Sequence, residues 1–251
     1  MTNILLSGCS GYMGRVITAL VAKRDDCRIA AGLDPVCSGN SGYPVYSDVS
    51  EIKEDIDVII DFSHVSALPS LLSYADRNPG CALVLCTTGY TPEQVTEIKA
   101  QAEKSPVFYS RNMSLGINLL IELSKKARAV LGDDFDVEIV EKHHNRKIDA
   151  PSGTALMIAD AISSVSETDM AYTYDRQSVR KKREKSEIGI SSVRGGTIVG
   201  EHEVIFAGNN ELLTISHSAQ SRDLFASGAV NAAVYMNGKG PGLYDMSDLL
   251  K

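Results

Sequence analysis

The chain has 251 residues, of which 43% are hydrophobic and 23% are charged. A chain of this length can form one large domain or two small ones, and its composition is that of a globular protein rather than of a disordered or membrane-spanning one. Its formal net charge of -7 argues against nucleic acid as a partner, because the phosphate backbone attracts basic proteins.

The first third of the chain alternates short apolar runs with helical patterns. This alternation predicts strands at Ile4–Ser7 and Arg28–Leu33, with a helix at Met13–Lys23 between them. Continuous apolar runs at Val58–Ile60 and Ala82–Leu85 are typical of strands that are covered on both faces. The order of strand, helix and strand therefore predicts a parallel sheet of the α/β class.

Two further helices are predicted beside these strands. Val65–Ala75 has the pattern of a crossover helix. Pro92–Lys104 is expected to begin after Thr91, because a threonine caps a helix well and a proline is tolerated in the first turn.

After about Ser110 the pattern changes. Val137–Glu141 and the stretch 197–218 predict antiparallel strands, with a hairpin turn at Gly208–Asn210. Leu224–Met236 is rich in alanine and predicts a helix. The chain is therefore expected to contain a second, differently built lobe.

A basic segment interrupts this second half, formed by Arg176 and Arg180–Lys185. We interpret it as a solvated or mobile loop, since the protein as a whole is acidic. A nucleic-acid or localisation signal and the attraction of an anionic substrate are the alternatives.

The cysteines and the N-terminus bear on the cellular compartment. The chain has five cysteines: Cys9, Cys27, Cys37, Cys81 and Cys86. Their number is odd and they form no C-x-x-C pair, which argues against a disulfide framework and against a zinc site. Residues 1–3 carry no Lys or Arg ahead of the first apolar run, unlike a secretory signal. We expect a cytoplasmic protein without a bound metal or a membrane partner.

A glycine-rich turn joins the first predicted strand to the first helix. Gly8, Gly11 and Gly14 are spaced as G-x-x-G-x-x-G, and glycines at such a turn let backbone amides approach a pyrophosphate at the helix N-terminus. Asp34 ends the second predicted strand 20 residues after Gly14, where an acidic side chain binds the ribose hydroxyls of a dinucleotide. Its charge would repel a 2'-phosphate, and Pro35 has no cation to bind one. NADH is therefore favoured over NADPH, although Arg15 lies close enough in sequence to reach the adenosine end.

The segment 141–154 is the richest in chemically active side chains. It places two imidazoles, three cations and the Ser152–Thr154 run ahead of a helix. A helix N-terminus offers free amides and a positive dipole end, and lysine and histidine add charged donors, so the segment suits a carboxylate ligand. We interpret Glu141 and Asp149 as residues that orient this segment, and the separate His64, His202 and His217 as structural.

This segment closely resembles the signature E-x-H-H-x-x-K-x-D-x-P-S-G-T-A of the dihydrodipicolinate reductase family. The resemblance extends to the glycine turn, Thr87–Gly89, Asn112–Asn118, Gly200–His202, Ser221–Arg222 and the tail Gly242–Met246. It implies NADH- or NADPH-dependent reduction of 4-hydroxy-tetrahydrodipicolinate (dihydrodipicolinate) to tetrahydrodipicolinate, a step of diaminopimelate and L-lysine biosynthesis.

The resemblance also implies roles for individual residues. His143 and Lys147 would be catalytic, one of them delivering a proton. The expected substrate-binding residues are His144, Ser152, Gly153 and Thr154. Together with the glycine turn, the resemblance gives these cofactor-binding residues: Gly8, Ser10, Gly11, Tyr12, Met13, Gly14, Asp34, Cys86, Thr87, Thr88, Ser110, Arg111, Asn112 and Met113.

The family further implies a Rossmann-like dinucleotide-binding domain of residues 1–112 and 219–251. Residues 113–218 would form a smaller α+β domain, with a mixed sheet, for substrate binding and assembly into a homotetramer. The alternatives are another bipartite nicotinamide-dependent reductase and a non-catalytic dinucleotide-binding redox sensor. The first would not need the intact His-His and Lys pattern, and the second should carry a DNA-recognition helix, which the sequence does not show.

Overall fold

The protein is described by a computed structural model that covers residues 1–36 and 42–250. The first elements in chain order are β1 (Thr2–Ser7), α1 (Tyr12–Val21), β2 (Cys27–Leu33), β3 (Val45–Tyr46), β4 (Val58–Asp61), α2 (Leu68–Arg77), β5 (Ala82–Leu85), α3 (Pro92–Ala102) and β6 (Pro106–Tyr109). They are followed by α4 (Leu115–Leu131), β7 (Asp136–His143), α5 (Gly153–Ser164), β8 (Ala171–Thr173), β9 (Glu187–Arg194), β10 (Gly200–Ala207), β11 (Leu212–Ala219), α6 (Asp223–Met236) and β12 (Gly242–Tyr244).

The chain divides into two compact units. Unit 1 consists of Met1–Ser114 and Asp223–Lys251, and unit 2 of Leu115–Arg222. The chain thus leaves unit 1 once and returns to it through α6. Both units are of mixed α and β structure, as the sequence predicted.

Unit 1 contains a seven-stranded sheet in the order β12-β6-β5-β4-β1-β2-β3. Every strand pair in it is parallel. Side chains alternate between the faces: Ile4 and Leu6 pack with α1 and α6, whereas Leu5 packs with α2 and α3. The predicted Rossmann-like sheet is confirmed, and burial on both faces explains why its central strands are apolar throughout.

Several elements of unit 1 differ from their predictions. The predicted helix Val65–Ala75 begins with a 3-10 turn at Val65–Ala67, and its α-helical part runs from Leu68 to Arg77. Thr91 caps α3 as predicted, and its hydroxyl accepts the amide hydrogen of Gln94. The short strands β3, β6 and β12, of two to four residues, were not predicted.

Unit 2 contains a five-stranded sheet in the order β11-β10-β7-β9-β8. β10 is antiparallel to both β7 and β11, but β9 is parallel to β7 and β8. The mixed sheet implied by the resemblance is confirmed. The strands predicted at Val137–Glu141 and within 197–218 are antiparallel, as expected, and the parallel strands β8 and β9 were not predicted. Helices α4 and α5 cover one face of this sheet, with Ile117, Leu120 and Ile158 in its core.

The basic segment is more strongly attached to the protein than a solvated loop would be. Arg183 donates to the carboxylates of Asp136 and Glu138, at 2.9 and 3.1 Å, and to the main-chain oxygens of Val137 and Glu187. Arg176 also binds Glu138 and Glu187. The predicted loop is therefore tied to strands β7 and β9 by ion pairs, because these strands present acidic side chains to it.

We predict that Arg183→Ala lowers the free energy of unfolding by roughly 2 kcal/mol, since it removes charged hydrogen bonds at a side chain that is only 17% exposed. Lys182→Ala, at an exposed position of the same loop, should change it by less than about 0.5 kcal/mol. Urea denaturation at neutral pH measures both. Equal effects of the two variants would show that the ion pairs contribute nothing specific.

Candidate active site

In unit 1 the turn between β1 and α1 requires glycine at two positions. Gly8 has a φ of 79°, and a Cβ on it would lie 2.6 Å from the carbonyl oxygen of Phe62. A Cβ on Gly14 would overlap the carbonyl oxygens of Gly8 and Cys9. The turn therefore brings three backbone segments together more closely than any side chain permits, which suits the close approach of a pyrophosphate.

A cavity of about 480 Å³ opens beside this turn. Gly8, Gly11, Asp34 and Pro35 line it, together with the segment that follows β4. The Asp34 carboxylate accepts the amide hydrogens of Ser10 and Val36, each at 3.0 Å. These bonds hold the carboxylate at the end of β2, next to the glycine turn. The Asp34 carboxylate, as an acceptor, suits the ribose hydroxyls of a dinucleotide, and the glycine turn suits its pyrophosphate.

The other predicted cofactor residues take different places. Ser10 and Tyr12 belong to the turn and the start of α1, and Met13 packs against the core. Cys86, Thr87 and Thr88 follow β5, and Ser110–Met113 follow β6, at the carboxyl edge of the same parallel sheet. None of the residues after β5 and β6 lines the 480 Å³ cavity. The Met113 side chain is buried in the core, so any contact from this residue to a cofactor would come from its backbone.

Asp61, at the end of β4, connects parts of that carboxyl edge. Its carboxylate is fully buried and accepts hydrogen bonds from the hydroxyls of Ser63 (2.5 Å), Thr87 (2.6 Å) and Tyr90 (3.3 Å). Burial raises the pKa of the Tyr90 hydroxyl, so it remains a donor. The segment after β4 and Thr87 are thereby fixed to one another.

In unit 2 the second set of predicted residues lies where a sheet face changes from apolar to polar. Along β7, Val137 and Ile139 face the helices, and the next residues on that face are Glu141 and His143. The neighbouring β10 runs antiparallel, and its register sets His202 opposite Glu141. The period-two alternation of the strands thus continues a hydrophobic core into a polar cluster.

Glu141 is the centre of this cluster. One carboxylate oxygen lies 2.5 Å from Nδ1 of His143 and 2.8 Å from Nη1 of Arg194. The other accepts hydrogen bonds from Nη2 of Arg194 at 2.7 Å and from the amide of Ser152 at 3.1 Å. The side chain has no exposed surface. Glu141 orients the segment, as expected from the sequence, but it does so through direct contact with His143.

His202 takes part in the same cluster, and the partners of this residue, which was interpreted as structural, could not be read from the sequence. Its Nε2 lies 3.0 Å from the hydroxyl of Ser152, and its ring meets the ring of His143 edge to face at 5.2 Å between centroids. The Ser152 hydroxyl also caps α5 by accepting the amide hydrogen of Ala155. His202 therefore links strand β10 to the N-terminus of the helix that follows the segment.

The remaining predicted residues surround this cluster within unit 2. Lys147 forms an ion pair with Asp149 at 2.8 Å, and its side chain is 21% exposed. His144 is half-buried in the turn before it, and its backbone oxygen accepts the amide hydrogen of Lys147. Gly153 and Thr154 form the first turn of α5, next to the capping Ser152.

The charge states of the cluster follow from burial and hydrogen bonding. Burial lowers the pKa of His143, and the hydrogen bond and charge of Glu141 oppose that change. Burial also lowers the pKa of His202 to about 3. For Glu141 burial alone would raise the pKa, but hydrogen bonds from Arg194, Ser192 and His143 outweigh it and bring the pKa to about 2. Near neutral pH the carboxylate is charged and both imidazoles are neutral.

The sequence did not assign Arg194, His202 or Gly200 to the site, although all three border His143 and the family resemblance includes Gly200–His202. A signal was present in the alternation of Gly200, His202, Val204 and Phe206, because positions two apart in a strand share a face. It could be used only with the register of β10 against β7, and that register depends on pairing over long sequence distances.

Comparison with protein families is consistent with this arrangement. The family model described as dihydrodipicolinate reductase, N-terminus, matches residues 2–113, and the model of its C-terminus matches residues 116–250. The chain belongs to the dihydrodipicolinate reductase family. It is therefore an oxidoreductase with a dinucleotide-binding domain for a nicotinamide cofactor, as its sequence predicted.

Individual members of this family are similar over their whole length. The 4-hydroxy-tetrahydrodipicolinate reductase of Caldanaerobacter subterraneus subsp. tengcongensis is 50% identical over 251 residues, covering 100% of this chain and 99% of that protein. The enzyme of the same name from Clostridium novyi is 47% identical, with the same coverage. A solved structure of dihydrodipicolinate reductase from Paenisporosarcina sp. TG-14, with dipicolinate bound, has a TM-score of 0.81 and 25% identity over 98% of this chain and 97% of that one.

No helix in residues 1–36 and 42–250 is long and apolar enough to cross a membrane. Within the same residues, no group of three or more His, Cys, Asp or Glu side chains is arranged to hold a metal ion. Cys9, Cys27, Cys81 and Cys86 are buried and form no disulfide in this part of the chain, and Cys37 lies outside the described residues.

We predict that Arg194→Met destabilises the reductase at pH 7 by about 3 kcal/mol or more, because it leaves the Glu141 carboxylate buried without its cation. Arg146→Met, at an exposed position of the segment, should have little effect. Urea denaturation of both variants gives the comparison.

The loss caused by Arg194→Met should also depend on pH. In the folded wild type, the pKa of Glu141 lies below its ordinary value of 4.5. Its contribution to the free energy of unfolding is therefore present above pH 4.5 and disappears as the pH falls toward about 2. The difference between wild type and variant should therefore shrink over that range. A difference that is the same at pH 3 and pH 7 would contradict a charged Glu141.

Proposed function

We propose that the chain reduces 4-hydroxy-tetrahydrodipicolinate to tetrahydrodipicolinate in diaminopimelate and L-lysine biosynthesis, with His143 and Lys147 as its catalytic residues. The observation that carries the assignment of roles is the contact of the His143 imidazole with the buried Glu141 carboxylate, within the family signature. A histidine held in this way beside a lysine, at the start of a helix, can bind an anion and exchange a proton.

The nicotinamide cofactor supplies a hydride to the conjugated system of the substrate. The electron density that this creates must be neutralised by a proton, which His143 or Lys147 delivers. The Lys147 ammonium can also stabilise developing negative charge at the ring nitrogen or at a carboxylate. His143 must take up a proton before it can act as an acid, because burial lowers its pKa.

The substrate carboxylates would bind at the N-terminus of α5. Gly153 and Thr154 form its first turn, where the helix dipole favours a negative charge. His144 lies in the turn that precedes Lys147, and the Ser152 hydroxyl belongs to the hydrogen-bonded cluster. The helix and the segment before it would therefore both donate hydrogen bonds to a bound dicarboxylate.

NADH is proposed as the favoured cofactor, with NADPH as the alternative. Asp34 lines the cavity beside the glycine turn, where its carboxylate can accept hydrogen bonds from ribose hydroxyls and would repel a 2'-phosphate. Arg15 is exposed, and its guanidinium donates to the carbonyl oxygen of Ser10 at 2.7 Å. In this arrangement Arg15 is held at the turn.

The two units would divide these tasks. Unit 1 would bind the dinucleotide, and unit 2 would bind the substrate and assemble a homotetramer. β11 is an edge strand of the unit 2 sheet and exposes Leu212 and Leu213, which favours burial against another copy. Light scattering should give four times the mass of one chain, and a mass equal to one chain would rule the tetramer out.

We predict that His143→Gln and Lys147→Ala each lower kcat by roughly a hundredfold to ten-thousandfold, because they remove the groups that transfer or stabilise charge. Binding of NADH, measured by fluorescence titration, should be almost unchanged, since both residues lie in unit 2. The assay follows NADH consumption with substrate freshly generated by an enzyme.

Thr154→Ala, in the first turn of α5, serves as the comparison for these two variants. This variant should mainly raise KM, because the bound substrate and the transition state lose the same hydrogen bond. The expected loss of binding free energy is roughly 1.5–3 kcal/mol, the value of one hydrogen bond to a charged group. Near-normal turnover of His143→Gln with an unchanged pH profile would show that the proton comes from elsewhere.

We predict for the cofactor that kcat/KM with NADH is at least equal to that with NADPH. Asp34→Asn should lower kcat/KM for NADH by about tenfold or more, through loss of charged hydrogen bonds, and leave NADPH less affected. The control is Asp48→Asn, which removes a carboxylate from the same cavity. The Asp48 side chain accepts the amide hydrogen of Ser50, so this variant should leave kcat/KM for both cofactors unchanged. A tenfold preference of the wild type for NADPH would contradict the role given to Asp34.

A further inference from the structure

The two ring nitrogens of His143 have different surroundings. Nδ1 lies 2.5 Å from the Glu141 carboxylate. Nε2 lies against Gly200, where an added Cβ would be 3.1 Å from it and 3.3 Å from the neighbouring Cδ2. The described residues give Nε2 no hydrogen-bond partner. The ring is therefore hydrogen-bonded at one nitrogen, and the other nitrogen lies next to a residue without a side chain.

Hydrogen bonds to the Glu141 carboxylate hold it in place beside Nδ1 of His143. Its two oxygens receive two guanidinium hydrogen bonds from Arg194 and one amide hydrogen bond from Ser152. Arg194 is itself fixed, since its Nη2 also donates to the carbonyl oxygen of Asp149 at 2.7 Å. A charged carboxylate can only accept hydrogen bonds, so the hydrogen on the short contact must belong to Nδ1 of His143.

We propose that Glu141 and Arg194 are positioning residues that hold His143 with its proton on Nδ1, and that Gly200 keeps Nε2 open as the atom that exchanges a proton with the substrate. The proposal rests on the proposed function only for the role of His143 as the acid. It assigns no contact with the substrate to Glu141 or Arg194. It accounts for a glycine at the first position of β10, where a methyl group would press on Nε2.

Titratable groups from four elements surround His143. Glu141 lies on the same strand, β7, and favours the protonated ring, whereas Arg194 on β9 and Lys147 in the loop oppose it. His202 on β10 contacts the ring, but its pKa of about 3 leaves it uncharged near neutral pH. Asp149 pairs with Lys147 and partly offsets that cation. Glu141 is thus the negative charge in direct contact with His143.

The test is a titration of the His143 ring by NMR in the full-length protein, with Glu141→Gln as the variant. Glutamine keeps the shape and an acceptor for Arg194, but it removes the negative charge. The proton affinity of His143 should fall about tenfold or more, and the nitrogen chemical shifts should show loss of the pure Nδ1–H form. His143→Gln identifies the resonance.

Kinetics provide the second measurement. The protonated fraction of His143 decreases as pH rises through its pKa, so kcat should fall on the alkaline side. In Glu141→Gln this decline should move to lower pH, and kcat at neutral pH should fall by roughly a hundredfold. The matched control is Glu201→Gln, which removes the partner of Lys142 in the same pair of strands and should leave both the titration and the pH profile unchanged.

Gly200→Ala tests the other half of the proposal without changing a charge. It should lower kcat by about tenfold or more with normal binding of NADH, because the added methyl group displaces or covers Nε2. Gly195→Ala is its control, since a Cβ there meets nothing within 4 Å. Equal activity of the two alanine variants would overturn the role of Gly200.

The outcomes separate this proposal from the proposed function. An unchanged titration and nitrogen pattern of His143 in Glu141→Gln would overturn the positioning role, whatever the activity. A simple loss of stability, with the pH profile retained, would do the same. Near-normal turnover of His143→Gln would instead overturn the catalytic role of His143, on which the proposal rests.

Discussion

The buried carboxylate of Glu141 imposes the strongest constraint on unit 2. A charge without exposed surface is unfavourable unless donors surround it, and Glu141 meets this need with Arg194, His143 and the amide of Ser152. Arg194 and Ser152 lie on other elements than Glu141, whereas His143 is on the same strand. The hydrogen bonds to this one carboxylate therefore fix strand β9 and the start of α5 relative to β7, and they orient the ring of His143.

Pleating of the strands explains why this constraint falls at the proposed catalytic residues. The helix-covered face of β7 and β10 is apolar at Val137, Ile139, Val204 and Phe206 and becomes polar at its end. The hydrophobic core thus anchors the strands, and the polar residues extend from that anchored region. A cluster built on strands in this way holds its side chains more rigidly than one built on loops alone.

The constraint in unit 1 is different, because backbone segments must approach each other closely around the β1–α1 turn. Gly8 and Gly14 let the β1–α1 turn pack against the segment after β4 and against itself. Asp34 and Asp61 then fix neighbouring segments by accepting backbone and hydroxyl hydrogens. Both carboxylates lie at the carboxyl ends of parallel strands, where ligands bind in sheets of this kind.

The sequence by itself determined the local features and the family. The glycine turn, the cap at Thr91, the apolar central strands and the signature around His143 and Lys147 are encoded by neighbouring residues, so they could be read from the chain. Only the tertiary structure showed the parallel pairing of β7 with β9, the ion pairs of Arg183 and the contacts of Arg194, His202 and Gly200 with the site. Arg194 lies 53 residues from Glu141, and Ser152 lies 50 residues from His202. Such contacts depend on strand register, which is set by the packing of the whole sheet against its helices and not by any local pattern.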